Sequence, residues 1–124
     1  MLNSAAVAQK RADESLVGFP PHVVQAYLAF AGNGDLQNLD TVVLGVLQFY
    51  LATKPKDPLQ ALPGTTRLVE DLGCDSLSMM DMVFMVESLF DIKIDDTELT
   101  KISTLDDLRA QIRRHVSIRP AAPA

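Results

Sequence analysis

The residues best placed to do chemistry are those of "GCDSL", at positions 73–77. Ser76 precedes a long apolar segment, so we expect it at the start of a helix. A serine there can simply cap the helix. It can also carry a phosphate, because the free N–H groups and the dipole of a helix N-terminus stabilise anions. Gly73 gives the loop conformational freedom, and the Asp75 carboxylate could help to hold a metal ion that a modifying enzyme brings.

A hydrolytic role for this serine is disfavoured by the rest of the sequence. The only histidines, His22 and His115, are far from Ser76 in sequence, and there is no G-x-S-x-G pattern. No zinc pattern, P-loop or dinucleotide fingerprint is found. The acids between positions 91 and 98 lack the spacing and the central glycine of an EF-hand. The sequence therefore predicts neither catalytic residues nor a metal site.

Length and composition predict one soluble domain. The chain has 124 residues, of which 48% are hydrophobic and 22% charged. A single cysteine, Cys74, excludes an internal disulfide and fits a reducing compartment. Residues 1–20 contain no signal-peptide pattern, and the longest apolar run, 42–52, is shorter than the roughly 20 residues that span a bilayer. We expect a monomeric, cytoplasmic protein without stable membrane insertion.

The net charge of −5 hides a strong local asymmetry. Residues 70–107 contain eleven acids and two bases, a net charge of −9, and the rest of the chain carries +4. This distribution argues against nucleic-acid binding, which needs a basic footprint. It suits a protein partner with a basic patch. For most of these acids, solvated helix faces and caps are an adequate explanation.

The N-terminal third is predicted to contain two helices and a disordered start. Disorder is expected up to about Gly18, since the first residues are weakly patterned. A proline pair and a later "AGNG" bracket a helix over 21–31. Asp40 is predicted to cap a helix over 40–52 that is apolar nearly all round. Helix 21–31 is therefore expected to cover it, with self-association or partner docking as alternatives.

The long connection over 53–73 contains three prolines, and leucines at 59, 62 and 68 are expected to pin it to the core. Asp75 or Ser76 then caps a helix that reaches about residue 89. A short helix follows over 96–100. Ser103-x-x-Asp106 is typical of a capping box at the start of the last helix.

These elements predict an all-α fold, a four-helix bundle of three main helices and one short one with an extra N-terminal helical extension. The predicted division is an extension over 1–34, a domain over 35–117 and a disordered tail over 118–124.

The helix after Ser76 carries two apolar stripes at helical spacing. One arc, which includes Met79 and Val83, is predicted to face the core. A second arc is surplus to a small bundle and is bordered by Asp81, Glu87 and Ser88. We call it the docking stripe; it comprises Leu77, Met80 and Phe84. Exposed apolar surface ringed by acids is typical of a docking site, although the loop over 53–73 could instead cover it.

Residues 69–112, "VEDLGCDSLSMMDMVFMVESLFDIKIDDTELTKISTLDDLRAQI", resemble an acyl carrier protein. The resemblance rests on "DLGCDSL", "ESLFDIKI" and "KISTL", and the match over about 44 residues contains no gap. It implies an acyl-carrier-like bundle in which Ser76 carries 4′-phosphopantetheine as a phosphodiester, with Gly73, Asp75 and Leu77 beside it. The protein itself would perform no chemistry, and its flexible arm would deliver acyl thioesters at high effective concentration.

The resemblance also implies partners and a place for the cargo. A phosphopantetheinyl transferase would install the group, and an acyl-loading enzyme, a ketosynthase and an acyltransferase or similar enzyme would use it. They would meet a partner face of Leu77, Met80, Asp81, Phe84 and Glu87. An acyl chain would shelter in the core. The predicted cargo face comprises Met82, Val86, Leu89, Phe90, Ile94 and Ile102.

Departures from the family pattern bear on the pathway. Ser78, Ser88 and Leu89 stand where family members for bacterial fatty-acid synthesis commonly have acids. Docking is therefore expected to rely more on apolar contact, in a dedicated fatty-acid, polyketide or other specialised lipid pathway. A peptidyl or aminoacyl carrier and an unmodified carrier-like interaction module are the alternatives.

Overall fold

The computed structural model describes residues 4–51 and 55–118, and within them the chain is helical without a named strand. One isolated bridge pairs Arg67 with Thr104. The all-α prediction is confirmed. The elements in chain order are α1 (Ser4–Ser15), α2 (Pro21–Asn33), α3 (Leu36–Tyr50), a 3-10 turn (Leu59–Ala61), α4 (Ser76–Phe90), α5 (Asp96–Leu99) and α6 (Leu105–Ile118).

Helix α1 corrects the expectation of disorder up to Gly18. Ala8, Ala12 and Leu16 follow one another at intervals of four, and all three are buried. Alanine is the strongest helix former, and its small side chain lets helices approach closely. The apolar signal of such a face is weak, because two of its three members are alanines. Positions 1–3, which the same expectation included, lie outside the described residues.

Helix α2 covers α3, in the place where the sequence predicts a helix over 21–31. Its Val23 is fully buried against α3. A Cβ added at Gly45 of α3 would lie 2.5 Å from a Val23 methyl, so only glycine permits this approach. Phe19, just before α2, stacks on Phe49 of α3 with ring centroids 4.1 Å apart. The N-terminal helices are thus seated closely on the bundle.

The start of α3 lies earlier than predicted. Asp35, rather than Asp40, caps this helix, and its carboxylate accepts a hydrogen bond from the backbone N–H of Gln37 at 2.9 Å. Asp40 lies within the helix and forms an ion pair with Arg113 of α6. Asp40, which looks like a helix cap in the sequence, therefore pairs with a residue of another helix instead. Position 52, the predicted end of this helix, lies outside the described residues.

The long connection before α4 is fixed to the start of α6. Leu59 and Leu68 are buried, as expected of residues that pin the loop. The N–H of Leu68 donates to the carbonyl of Ser103, and the N–H of Leu105 donates to the carbonyl of Thr66. These long-range bonds replace the regular structure that the loop lacks.

The capping box of α6 is shifted by one residue from the predicted Ser103 and Asp106. The Asp107 N–H donates to the Thr104 hydroxyl, and the Asp107 carboxylate accepts from the Thr104 N–H at 3.1 Å. The helix continues through position 118, where the sequence predicts the tail to begin. The other tail positions, 119–124, lie outside the described residues.

Candidate functional site

The N-terminal end of α4 presents Ser76 to solvent. Asp75 is the N-cap, and its carboxylate accepts a hydrogen bond from the backbone N–H of Ser78 at 2.7 Å. This hydrogen bond lowers the pKa of Asp75, so the cap is ionised near neutral pH. The sequence left Asp75 and Ser76 open as caps. Because Asp75 takes this role, the exposed Ser76 side chain is not needed to start the helix.

The residues before the cap shape the approach to Ser76. Gly73 has a φ of +70°, which a residue with a side chain rarely adopts, and a Cβ there would meet open space. Cys74 is buried, and burial, with a smaller contribution from Asp75, raises the pKa of its thiol. The thiol is therefore protonated near neutral pH and is poorly suited to act as a nucleophile.

The docking stripe is exposed. Leu77 is 71% exposed, Phe84 55% and Met80 37%, although they belong to the most apolar helix of the chain. The described part of the loop over 53–73 leaves them uncovered. The stripe begins one residue after Ser76 and runs for about two turns along α4. A protein that reaches Ser76 would therefore meet these side chains first.

The two acids predicted for the partner face have different surroundings. Glu87 is half-buried, and its carboxylate accepts a hydrogen bond from the backbone N–H of Ile94 at 2.8 Å. It therefore helps to hold the connection between α4 and α5. Asp81 is also half-buried and lines the same groove as Tyr50 and Phe84. The assignment of both acids to partner binding stays a prediction.

An open groove of about 390 Å³ runs beside the docking stripe, between α1 and α4. Single-sequence reasoning missed it, because α1 was expected to be disordered. Its lining combines two acids, Glu14 and Asp81, with the apolar side chains of Phe84 and Met85. The residues that line it are Glu14, Ser15, Tyr50, Asp81, Phe84, Met85 and Ser88.

All six residues of the cargo face are buried. They come from α4, from the connection that follows it and from the connection between α5 and α6. Met82 and Val86 are fully buried near the middle of α4, whereas Leu89 and Phe90 lie at its end. The structure thus gathers them in the core, and their role towards an acyl chain stays a prediction.

The C-terminal end of α4 is held by the N-terminal helices, a feature that sequence analysis missed. The carbonyl of Leu89 accepts a hydrogen bond from the Tyr27 hydroxyl at 2.8 Å and another from the Arg11 guanidinium at 3.2 Å. The ring of Phe90 meets Tyr27 and Phe30 edge-on, with centroids 5.6 Å apart in each pair. No local pattern signals contacts between residues 62 positions apart.

The site is suited to hold a phosphodiester. The first N–H groups of a helix and its dipole favour an anion next to Ser76. Within residues 4–51 and 55–118, no group of three or more His, Cys, Asp or Glu side chains could hold a metal ion. His115 instead lies 3.0 Å from Glu98, between its Nε2 and a carboxylate oxygen. The exposed hydroxyl, the anion-stabilising helix start and the open approach at Gly73 together fit a covalently attached phosphopantetheine.

Comparison with known proteins agrees with this geometry. Residues 46–112 match the family described as a phosphopantetheine attachment site. The chain is 46% identical to the acyl carrier protein of Thermotoga maritima over 48 residues, which are 39% of this chain and 59% of that protein. It is 43% identical to the acyl carrier protein of Desulforapulum autotrophicum over 47 residues, or 38% of this chain and 61% of that one. These matches span less than two thirds of either relative.

A longer and weaker similarity covers more of the chain. The acyl carrier protein of Rickettsia bellii is 29% identical over 82 residues, which are 66% of this chain and 91% of that protein. Among the described residues, no helix is both long enough and apolar enough to cross a membrane.

Proposed function

Because the chain belongs to the phosphopantetheine attachment-site family, that of the acyl carrier proteins, we propose that it is a non-catalytic acyl carrier whose Ser76 holds 4′-phosphopantetheine. That group, when bound, supplies a thiol on which acyl groups are carried as thioesters. The observation that carries the proposal is the position of Ser76. It is exposed at the start of α4, while Asp75 supplies the cap.

Loading places specific demands on the residues around Ser76. The Ser76 oxygen forms a bond to phosphorus, the pyrophosphate bond of coenzyme A breaks, and adenosine 3′,5′-bisphosphate leaves. The hydroxyl proton passes to the transferase. Asp75, which precedes Ser76 in the chain, has an ionised carboxylate that can share a metal ion that the transferase brings. Gly73 leaves space for the incoming enzyme.

The exposed stripe on α4 supports a docking role. We assign Leu77, Met80 and Phe84 to apolar contact with the phosphopantetheinyl transferase, an acyl-loading enzyme, and a ketosynthase, acyltransferase or similar enzyme. Asp81 adds negative charge that suits a basic patch on these partners. Glu87 contributes charge while it holds the loop after α4. The cytoplasm stays the predicted site of action.

The balance between charge and apolar contact favours a dedicated pathway. Ser78 is buried and Ser88 is exposed at positions that are commonly acidic in carriers for bacterial fatty-acid synthesis. Partners of this chain therefore depend less on charge and more on fit to Phe84 and Met80. We propose a dedicated fatty-acid, polyketide or other specialised lipid pathway.

Intact mass measurement tests the proposal directly. The full chain is incubated with coenzyme A and a broad-specificity phosphopantetheinyl transferase, in parallel with Ser76→Ala and Ser88→Ala. Ser88 is an exposed serine on the same helix and serves as the matched control. We expect a gain of one phosphopantetheinyl group in the wild type and in Ser88→Ala, and none in Ser76→Ala.

Two other outcomes would change the proposal. If the folded wild type gains no group and the protein from its own host is also unmodified, the chain is an interaction module that uses the docking stripe alone. If it is loaded but accepts amino acids from an adenylating enzyme rather than acyl groups from a fatty-acid ligase, it is an aminoacyl or peptidyl carrier.

A further inference from the structure

The carbonyl of Leu89 is an unusual point of attachment between the N-terminal helices and α4. The last four carbonyls of a helix have no partner within it. The Leu89 carbonyl instead accepts two hydrogen bonds, from Tyr27 of α2 and Arg11 of α1. Tyr27 is buried, so its hydroxyl has little access to water and would be poorly solvated if its bond to Leu89 were broken.

Aromatic packing closes the same end of α4 from the side. Phe90 is buried and meets the edges of Tyr27 and Phe30. Protein cores are densely packed, so a chain that enters beside Phe90 must displace one of these rings. Each ring belongs to α2 or to α4, and the cargo face therefore ends against the N-terminal helices.

The N-terminal helices cannot move aside easily. Val23 of α2 is fully buried against Gly45 of α3, without room for even one more methyl group. The stack of Phe19 on Phe49 adds a second contact with α3. A movement of Tyr27 away from Leu89 would have to disturb these contacts as well.

We propose that α1 and α2 act as a clamp on the C-terminal end of α4 and limit the length of the acyl cargo. This inference rests on the proposed function. The clamp leaves the core beside Met82 and Val86 free to open and closes the core beside Leu89 and Phe90. The protein thereby accommodates short acyl groups, and the distal part of a longer acyl group is excluded from the core. Tyr27 and Arg11 are the specificity-determining residues.

Methyl chemical shifts can follow how deep a cargo reaches. The full chain is loaded at Ser76 with butanoyl, octanoyl or dodecanoyl phosphopantetheine from the matching coenzyme A thioesters. In the wild type, we expect the methyl groups of Met82 and Val86 to shift, while those of Leu89 stay unchanged for all three lengths. In Tyr27→Ala, we expect the Leu89 methyls to shift with the octanoyl and dodecanoyl groups.

Two further variants test the clamp without removing a large side chain. Tyr27→Phe keeps the ring and loses only the hydroxyl, and Arg11→Gln removes the charge. Loss of one net hydrogen bond corresponds to about five-fold in an opening equilibrium. We therefore expect about five-fold faster amide hydrogen exchange at the C-terminal end of α4 in Tyr27→Phe. Exchange near Ser76 should not change.

The outcomes separate the clamp from the carrier function. A wild-type protein whose Leu89 methyls shift with octanoyl cargo is a carrier without the clamp. Unchanged shifts at Leu89 in Tyr27→Ala, or exchange in Tyr27→Phe equal to that of the wild type, would also overturn the clamp. Failure to load at Ser76 would overturn the proposed function, and the clamp's role in cargo selection with it.

Discussion

At its N-terminal end, α4 is held by its own cap, in which Asp75 accepts a hydrogen bond from Ser78 three residues away. At its C-terminal end, it is held by other helices, through Tyr27 and Arg11 on the Leu89 carbonyl. Local contacts leave the first end exposed. Long-range contacts bury the second end. The two ends of α4 thus differ in their exposure to solvent, and each end is held by a different kind of interaction.

The largest expected effect comes from breaking the enclosed end. Tyr27→Ala removes a buried ring and the hydroxyl that binds Leu89, so we expect a loss of about 3–5 kcal/mol in the free energy of unfolding. Urea denaturation of wild type and variant measures it, with Tyr27→Phe as the control that retains the ring. A loss below about 1 kcal/mol would mean that the N-terminal helices contribute little to the bundle.

The next effect tests how closely α2 is seated. Gly45→Ala places a methyl group 2.5 Å from the buried Val23, and we expect about 1–3 kcal/mol of destabilisation from overpacking. Gly32→Ala is the matched control, since Gly32 is also helical and its added Cβ would meet open space. That variant should be as stable as the wild type or more stable. Equal effects at both glycines would contradict the close approach.

The exposed end should respond in binding rather than in stability. Phe84→Ala is expected to reduce loading by the transferase about ten-fold in kcat/KM, which corresponds to about 1–2 kcal/mol of docking energy. Its free energy of unfolding should change by less than about 0.5 kcal/mol, because the ring is exposed. Val17→Ala, an exposed apolar residue off the docking stripe, is the control. Loss of helicity in Phe84→Ala would show that this ring belongs to the core.

The smallest effects concern pH, and the two ends should respond at opposite extremes. The hydrogen bond from Ser78 lowers the pKa of Asp75 from 3.8, so its contribution is present above that value and is lost as the pH falls through the folded pKa. Burial raises the pKa of Tyr27 from 10.0, although Arg11 opposes the change. Its contribution is present below pH 10.0 and is lost as the pH rises through the folded pKa.

Two conservative variants isolate these titrations. Asp75→Asn keeps a capping side chain without a titrating group, and Tyr27→Phe keeps the ring. Unfolding free energies are measured against pH for each variant and for the wild type. We expect the difference curve for Asp75→Asn to slope in acid and that for Tyr27→Phe to slope in base. A flat difference curve for either variant would show that titration of that residue does not affect the free energy of unfolding.

Local signals predicted the exposed end well and the enclosed end poorly. Gly73, Asp75 and the apolar periodicity after Ser76 are sufficient to place the start of α4 and its docking stripe. The contacts of Tyr27 and Arg11 with Leu89 depend on tertiary packing, which no pattern within a short window encodes.

The remaining misses have similar causes. Helix α1 was overlooked because Ala8 and Ala12 give a weak apolar signal although both are buried. The cap of α3 was misplaced because Asp40 and Asp35 are equally good caps in sequence, and only the ion pair with Arg113 separates their roles. The predicted capping box of α6 is one residue too early in the sequence. The hydrogen bond from the Leu105 N–H to the Thr66 carbonyl fixes the position at which this helix begins.

The bonds between the long loop and the start of α6 also set an order of events during synthesis. The loop that presents Ser76 is fixed by Ser103 and Leu105, which leave the ribosome some thirty residues later than Ser76. We expect a nascent or truncated chain that lacks α6 to display Ser76 on an unfixed loop and to be a poor substrate for loading. Attachment of the cofactor would then mark chains that have completed folding, so that incomplete chains do not withdraw coenzyme A from the cell.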